Sequence, residues 1–290
     1  MTLTLALQLL VNGLVVGGLL GLVALGLALI FGVMRVINFA HGEFITLGAY
    51  LTWLIAGVLG LSPLIGVPAA FIVGAAVGWA VQALVISRVA SRPALDMLMV
   101  TYALSAVGLG LFSLAFGGDF RSYSNGPSGE LRLAGISIGV RSLTVLCVCI
   151  VLSAAVMALL RSARTGLALR ALAQNRDAAA SSGIDTRYVE RVTFSVAVGL
   201  AAAAGSLVSL IGTTTPTVGH DLVLDGFVVV VVGGLGSIPG ALLAALLIGL
   251  IQSVCGFLLD DAWAKIITYA LLYAVLVLRP QGLFGQWAEE

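Results

Sequence analysis

Leu9-Leu-Val-Asn-Gly-Leu-Val-Val-Gly-Gly-Leu-Leu-Gly-Leu-Val-Ala-Leu-Gly-Leu-Ala-Leu-Ile-Phe-Gly-Val33 contains no ionisable side chain. A helix of about 20 such residues crosses about 30 Å of hydrocarbon. Further runs of this kind follow at Phe44–Leu61, Leu64–Ser87, Ala94–Phe116, Leu143–Leu160, Val192–Gly212, Gly226–Phe257 and Lys265–Leu278. Pro239 interrupts the Gly226–Phe257 run, which counts as one crossing or two. The expected architecture is all-α, a polytopic transmembrane bundle of roughly eight or nine crossings with one broken helix near Pro239. Residues 1–290 are read as one membrane-spanning domain.

Composition agrees. The chain is 60% hydrophobic and 9% charged, with a mean hydropathy of +1.16. A soluble domain carries about 25% charged residues, so only lipid makes this much apolar surface harmless. The runs lack the alternation of barrel strands, which leaves helices. A net charge of +1 gives no basic patch for nucleic acid. No phosphate-binding G-x-x-x-x-G-K-[ST] loop occurs, and Lys265 is the single lysine, so any ATP must be hydrolysed by another polypeptide. Cys147, Cys149 and Cys255 sit in apolar runs without metal or redox spacing and read as inert small hydrophobes. No Lys or Arg precedes the first run, so it reads as a retained helix and not a cleaved signal.

Arginines give an orientation. Arg88 and Arg92 flank one short turn, and Arg161, Arg164, Arg170, Arg176, Arg187 and Arg191 crowd one longer loop. Both fall inside if the N-terminus starts outside. Arg279 then also falls inside when the Pro239 segment crosses twice, and Asp260 and Asp261 fall outside. The Gly117–Arg141 loop, with three arginines, is placed outside by parity, against the rule.

Three segments carry candidate function. Within Arg161–Arg191, Ala171–Ser182 reads as a short Ala-rich helix followed by Gly183 as its C′ residue, with Asp177 as an alternative cap of a final short helix. Its narrow side chains suit a helix lying in another protein's groove. Arg35-Val-Ile-Asn-Phe-Ala-His-Gly-Glu43 places polar groups between two spans. Asn38 and His41 would share a helical face. The group either lines a polar pathway or is an interfacial connector whose ends reach water. Val232-Gly-Gly-Leu-Gly-Ser-Ile-Pro-Gly240 interrupts continuous apolar sequence. Close packing explains its glycines but not Pro239, which favours a broken helix on a translocation path. The two interruptions occupy comparable places in the two halves, which suggests an internal repeat.

Gly26-Leu-Ala-Leu-Ile-Phe-Gly-Val-Met-Arg-Val-Ile-Asn-Phe-Ala-His-Gly-Glu43, continuing to Gly48-Ala-Tyr50, resembles the N-terminal signature of branched-chain amino-acid ABC transporter permeases. It is most similar to the H-type subunit of leucine/isoleucine/valine import systems. Gly166–Ile184 and Phe227–Ala241 match the same family in order and spacing. The resemblance implies a bacterial inner-membrane complex. Its expected members are a second permease, two cytoplasmic ATPase subunits that use the ATP, and an extracytoplasmic substrate-binding protein. No cofactor is expected on this chain, and the expected cargo is an amino acid. Asp177-Ala-Ala-Ala-Ser-Ser-Gly183 looks like the first half of the importer coupling motif, with Asp for Glu. Thr193 stands where that motif has Ile.

The resemblance therefore assigns ATPase coupling to Arg170, Ala171, Asp177, Ala178, Ala179 and Gly183. The path or gate falls to Asn38, His41, Gly42 and Glu43, with Gly233, Gly234, Gly236, Ser237 and Pro239 as the opposing wall. Selectivity rests largely with the binding protein, since relatives of this family move other amino acids, amides or urea. The alternative is an ion-coupled secondary transporter, disfavoured because nearly all charges fall at span ends or in loops. A membrane-embedded enzyme lacks support: there is no H-E-x-x-H or G-x-S-x-G, and His220, Asp221 and Asp225 read as a solvated external loop.

Overall fold

The computed structural model describes residues 3–90, 92–133, 135–162 and 164–285. Ala163 of the expected coupling loop, and the first two residues of the expected retained helix's lead-in, lie outside the described residues. The elements in order are α1 (Leu3–Met34), α2 (His41–Trp53) extended by a π-turn (Leu54–Val58), a 3-10 turn (Pro63–Ile65), α3 (Gly66–Val81), a second π-turn (Gln82–Ile86) and α4 (Ser87–Val89). Then come α5 (Ala94–Phe116), the hairpin β1 (Glu130–Leu133) and β2 (Ile136–Gly139), α6 (Val140–Ser162), α7 (Arg164–Gln174), α8 (Arg176–Ser181) and α9 (Thr186–Ile211). The chain closes with α10 (Val218–Gly233), α11 (Ile238–Leu258) and α12 (Asp261–Leu278).

Among the described residues, 7 helices are long and apolar enough to cross a membrane: α1, α3 with its extensions, α5, α6, α9, α11 and α12. The chain is an all-α polytopic bundle. The expected Gly226–Phe257 span divides into α10 and α11, and α2 and α10 are short helices packed inside the bundle. The only strands among the described residues form the small hairpin in the Gly117–Arg141 loop. It lies at the N-terminal end of α1, where Ser137 N–H donates to Gln8 Oε1 at 3.2 Å. Cys149 is buried as expected, whereas Cys147 is exposed on the outer side of α6.

α1 and α9 form the centre and are mostly buried, while α5, α6, α11 and α12 expose most of their apolar surface. That distribution is inverted relative to a water-soluble core and suits lipid or partner helices around the rim. Small residues set the spacing. A Cβ on Gly17 would stand 2.9 Å from the Ala245 carbonyl oxygen of α11, and one on Gly74 would stand 2.6 Å from Ala202 Cβ of α9. α11 runs antiparallel on α1, since Gly17 meets Ala245 and Leu9 meets Ser253; α3 runs antiparallel on α9, since Gly74 meets Ala202 and Gly78 meets Val198. α2 runs along α9, and α10 runs along α1.

Two interlocked trios result, α1–α2–α3 and α9–α10–α11, each lending its short helix to the other's long one. They meet where the second residue of α2, Gly42, touches the second residue of α10, Gly219. A Cβ on Gly219 would stand 1.8 Å from the Gly42 carbonyl oxygen, and one on Gly42 would stand 2.7 Å from that of Gly219. The Gly219 N–H also donates to Thr46 Oγ1 at 3.1 Å. An internal repeat is therefore present, with a different pairing from the one expected. The α1–α2 break corresponds to the α9–α10 break at 212–217, and the Gly234–Ser237 break corresponds to the turn between α2 and α3. Sequence pairing failed because the halves share packing roles but few side chains.

Gly219→Ala is expected to destabilise the purified protein by about 2 kcal/mol, since it drives apart two helices with no slack. Gly110→Ala, at an open position on α5, should instead leave stability unchanged or raise it by about 0.5 kcal/mol. Unfolding midpoints in one detergent compare the two.

Candidate functional site

α1 ends at Met34, and Arg35 after it is the one non-glycine among the described residues with a left-handed backbone (φ 53°). The chain then turns back into the bundle, and α2 starts beside Gly26, eight residues above the end of α1. A Cβ on Gly26 would stand 2.7 Å from His41 Cε1. α2 thus begins at membrane depth. Arg35 is exposed, as a connector end would be, but Asn38 and His41 are 0% exposed and Glu43 is 6% exposed. Glu43 does not reach water: Ser105 of α5 donates to its Oε1 at 3.0 Å, and Gly108 lies against its stem. Asn38 and His41 do not share a helical face, because Asn38 precedes the helix; its carbonyl accepts the His41 N–H at 3.2 Å. Both amide atoms of Asn38 and Glu43 Oε2 have no hydrogen-bond partner, and the buried ring of His41 has only the Val23 backbone of α1 to bond. Such groups are costly in hydrocarbon unless water or a ligand reaches them.

The second interruption is built differently. Gly234 (φ 106°) and Gly236 (φ 83°) reverse the chain between α10 and α11, in a region that side chains with a Cβ rarely adopt. Ser237 caps α11, its Oγ accepting from Gly240 N–H at 3.2 Å, and Pro239 lies in the first turn, where no helical hydrogen bond is lost. The last carbonyls of α10 are satisfied by the chain after α12: Leu283 N–H donates to Val232 O at 2.8 Å and Phe284 N–H to Gly233 O at 3.2 Å. Gly236 stands against Gly32, near the end of α1, in a cavity of about 580 Å³ that Phe31, Arg35, Ala173 and Pro239 also line. The structure therefore does not bring Gly233–Pro239 opposite Asn38–Glu43. The two groups sit about six residues, or about 9 Å, apart along α1.

The candidate coupling segment is two helices and not one. α7 buries Leu169 and Leu172 on the bundle, and Arg170 donates to the Leu160 carbonyl at the end of α6. Asn175 is extended (φ −154°) and breaks the run; its Oδ1 accepts from Ala178 N–H at 3.0 Å. Asn175 is thus the cap, and Asp177 lies in the first turn of α8, where its charge favours the helix dipole. α8 ends in a Schellman motif: Gly183 N–H donates to Ala180 O at 3.0 Å and Ile184 N–H to Ala179 O at 3.1 Å. Gly183 supplies the required φ of 82°. Ala171 is half-buried and Ala179 buried, whereas Ala173, Asp177, Ala178 and Ala180 face out. Thr193 is buried in α9, donating to the Val189 carbonyl at 2.7 Å.

Two ion pairs escaped the sequence reading. Arg176, first residue of α8, pairs with buried Glu190 of α9 at 2.9 Å. Lys265 of α12 pairs with Asp225 of α10, which Gln252 of α11 approaches at 3.5 Å. His220, Asp221 and Asp225 all lie on α10 and not in a loop; His220 and Asp221 are exposed in its first turn, as a solvated segment would be, whereas Asp225 is 3% exposed. The span boundary drawn at Gly226 hid this, because it stopped at the first apolar run. The available signal was the single lysine facing an acid within reach of an adjacent span.

A bundle of this kind, with paired short helices beginning at depth and a small amphipathic pair on its arginine-rich face, defines a multi-pass membrane protein of the permease type. The family model "Branched-chain amino acid transport system / permease component" matches residues 9–276, and the chain belongs to that family. It is 29% identical to the high-affinity branched-chain amino acid transport system permease protein LivH of Escherichia coli (strain K12), covering 97% of this chain and 96% of LivH. The corresponding permease protein BraD of Pseudomonas aeruginosa is also 29% identical over the same shares. The probable branched-chain amino acid transport permease protein LivH of Methanocaldococcus jannaschii is 27% identical over 94% of this chain and 91% of its own.

Lys265→Met leaves Asp225 buried without its counter-charge and is expected to cost about 2–3 kcal/mol, below the figure for a fully buried pair because Lys265 is part-exposed. Asp225→Leu with Lys265→Met should restore most of the loss. Thermal unfolding of the two variants in detergent provides the comparison.

Proposed function

We propose that the chain is the membrane-spanning subunit of an ABC importer for branched-chain or related amino acids in a bacterial inner membrane. The observation that carries the reading is the start of α2 inside the bundle, with Asn38 and His41 fully buried and the Asn38 amide unpartnered, in a chain of the permease family. A path that opens intermittently gives those groups water or substrate in one state and closes over them in another. Gly42, packed on Gly219, makes that start a rigid pivot, and Glu43 with Ser105 ties it to α5. Gly233, Gly234, Gly236, Ser237 and Pro239 form the mouth of the path on the arginine-rich face. They do not form a wall opposite His41.

That face is cytoplasmic in this reading, by the arginine asymmetry. α8 docks in a cleft of an ATPase subunit through its exposed side, Asp177, Ala178 and Ala180, with Gly183 fixing its exit. Arg170 and Ala171 hold α7 to the bundle. Arg176–Glu190 links α8 to α9, against which α2 packs. Motion of the docked helix therefore has a route to the depth of α2. The remaining partners are a second permease, a paired ATPase and an extracytoplasmic binding protein. ATP is bound by the ATPases, and this chain supplies no catalytic group.

A second reading, an ion-coupled secondary transporter, draws on the Asp225–Lys265 pair within the bundle. The two readings separate by energy source: collapse of proton and sodium gradients with ATP retained stops the second and spares the first.

Affinity purification of the tagged chain from its own membranes is expected to recover two ATPases and a second permease, and replacement of Ala171–Gly183 by a Gly/Ser linker should release the ATPases. Recovery of this chain alone in a form that still transports contradicts the proposal. In the reconstituted complex, His41→Ala should lower ATP-driven uptake about tenfold or more at normal expression, the loss of one well-placed polar contact.

A further inference from the structure

We propose that a cavity of about 380 Å³ at the arginine-rich ends of α3 and α9 binds the headgroup of an anionic glycerophospholipid. Its wall includes Gln82, Ser87, Arg176, Arg187, Glu190 and Arg191. Three guanidinium groups and one carboxylate leave the site with two net positive charges. Glu190 takes up part of one, through Arg176 at 2.9 Å. Arg187 is exposed, and Arg191 is half-buried with its Nε unpartnered. A phosphodiester is the ligand that planar forks of this kind hold best.

The inner wall sets the rest of the headgroup. Gln82 is 1% exposed and its Oε1 accepts no hydrogen bond. Glu190 adds a buried carboxylate beside it. The deep end thus offers two acceptors, Gln82 Oε1 and the Glu190 carboxylate, beside the Gln82 amide donor, so the ligand's far end must be able to donate. Glycerol hydroxyls do so; a choline group has no donor. Gln82 also opens the π-turn Gln82–Ile86, a local widening of the helix that recurs at functional sites.

The depth is that of the lipid–water boundary. Trp79 of α3 and Tyr188 of α9 meet edge to face at 6.1 Å and are 38% and 54% exposed. Trp79 precedes Gln82 by one helical turn, and Tyr188 lies between Arg187 and Arg191 on the chain. Amphipathic rings of this type collect at the headgroup level, and basic pockets between helices on the cytoplasmic side take anionic headgroups. Because Arg176 opens α8 while the other arginines belong to α9, a seated headgroup joins the two helices. The site stands independently of what the protein transports.

Native mass spectrometry of the purified full-length chain, with its co-purifying subunits, measures retention of added phosphatidylglycerol against phosphatidylcholine. Phosphatidylglycerol should be retained at least about tenfold more tightly, and Arg187→Gln and Arg191→Gln should each weaken it about fivefold. Phosphatidylcholine retention should not change, and Arg161→Gln, outside the cavity, should leave both lipids as in the wild type. Arg187→Gln, at the exposed position, serves alone if Arg191→Gln is unfolded. Equal retention of the two lipids, or an unchanged phosphatidylglycerol affinity in the variants, overturns the proposal. Full displacement of phosphatidylglycerol by millimolar inorganic phosphate also overturns it, making the cavity a free-phosphate site.

Discussion

Hydrocarbon offers no hydrogen bonds, so every amide and carbonyl at depth has to be paired within the protein. The long helices meet that condition by themselves. The short ones do not, because α2 and α10 start inside the bundle and present free N–H groups there. The structure meets the condition at α10 with Thr46, whose hydroxyl accepts from Gly219. It meets it at the other end of α10 with Leu283 and Phe284, whose N–H groups reach Val232 and Gly233. Both solutions need backbones in close contact, Gly42 on Gly219 at the first and Gly234 on Gly282 at the second. The remaining helices pack around those contacts, each short helix lying both on the other trio's long helix and on a neighbour in its own.

Backbone groups at the two ends of α10 thus have partners, while some buried side chains do not. Asn38 is fully buried with no partner, and His41, equally buried, has no side-chain partner and only the Val23 backbone beside it. An unpaired buried amide or imidazole costs about 1–3 kcal/mol, and a protein that needs only a stable fold has cheaper residues for these places. Their cost is understandable where another state of the molecule supplies water or a ligand. Asp225, by contrast, has Lys265 and Gln252 beside it, and Glu43 has Ser105. The contrast between provided and unprovided groups is what distinguishes candidate path residues from structural ones here.

Much of this was legible in the chain. The Ala94–Phe116 span reads off its apolar run without error, because Pro93 and Gly117 punctuate it. Gly183 announces the end of α8, and the Arg35–Glu43 and Val232–Gly240 strings announce breaks. The partners of those breaks were hidden. Nothing local to Glu43 names Ser105, 62 positions away, and nothing near Val232 names Leu283. Asn175 was overlooked as a cap because Asp177 is an equally good capping residue by type, and only the backbone decides between them. The pairing of the repeat was misread since packing roles, carried by small residues, leave little sequence trace.

The central claim is that the start of α2 lines a path that opens during the cycle. A chain with Cys147, Cys149 and Cys255 replaced by Ser and the single substitution Ala40→Cys, at the buried residue next to His41, tests it directly. The chain is reconstituted with its partner subunits and exposed to a water-soluble maleimide. The account predicts slow labelling at rest, faster labelling during ATP turnover, and protection by the transported amino acid. No labelling in any state of an actively transporting complex contradicts it.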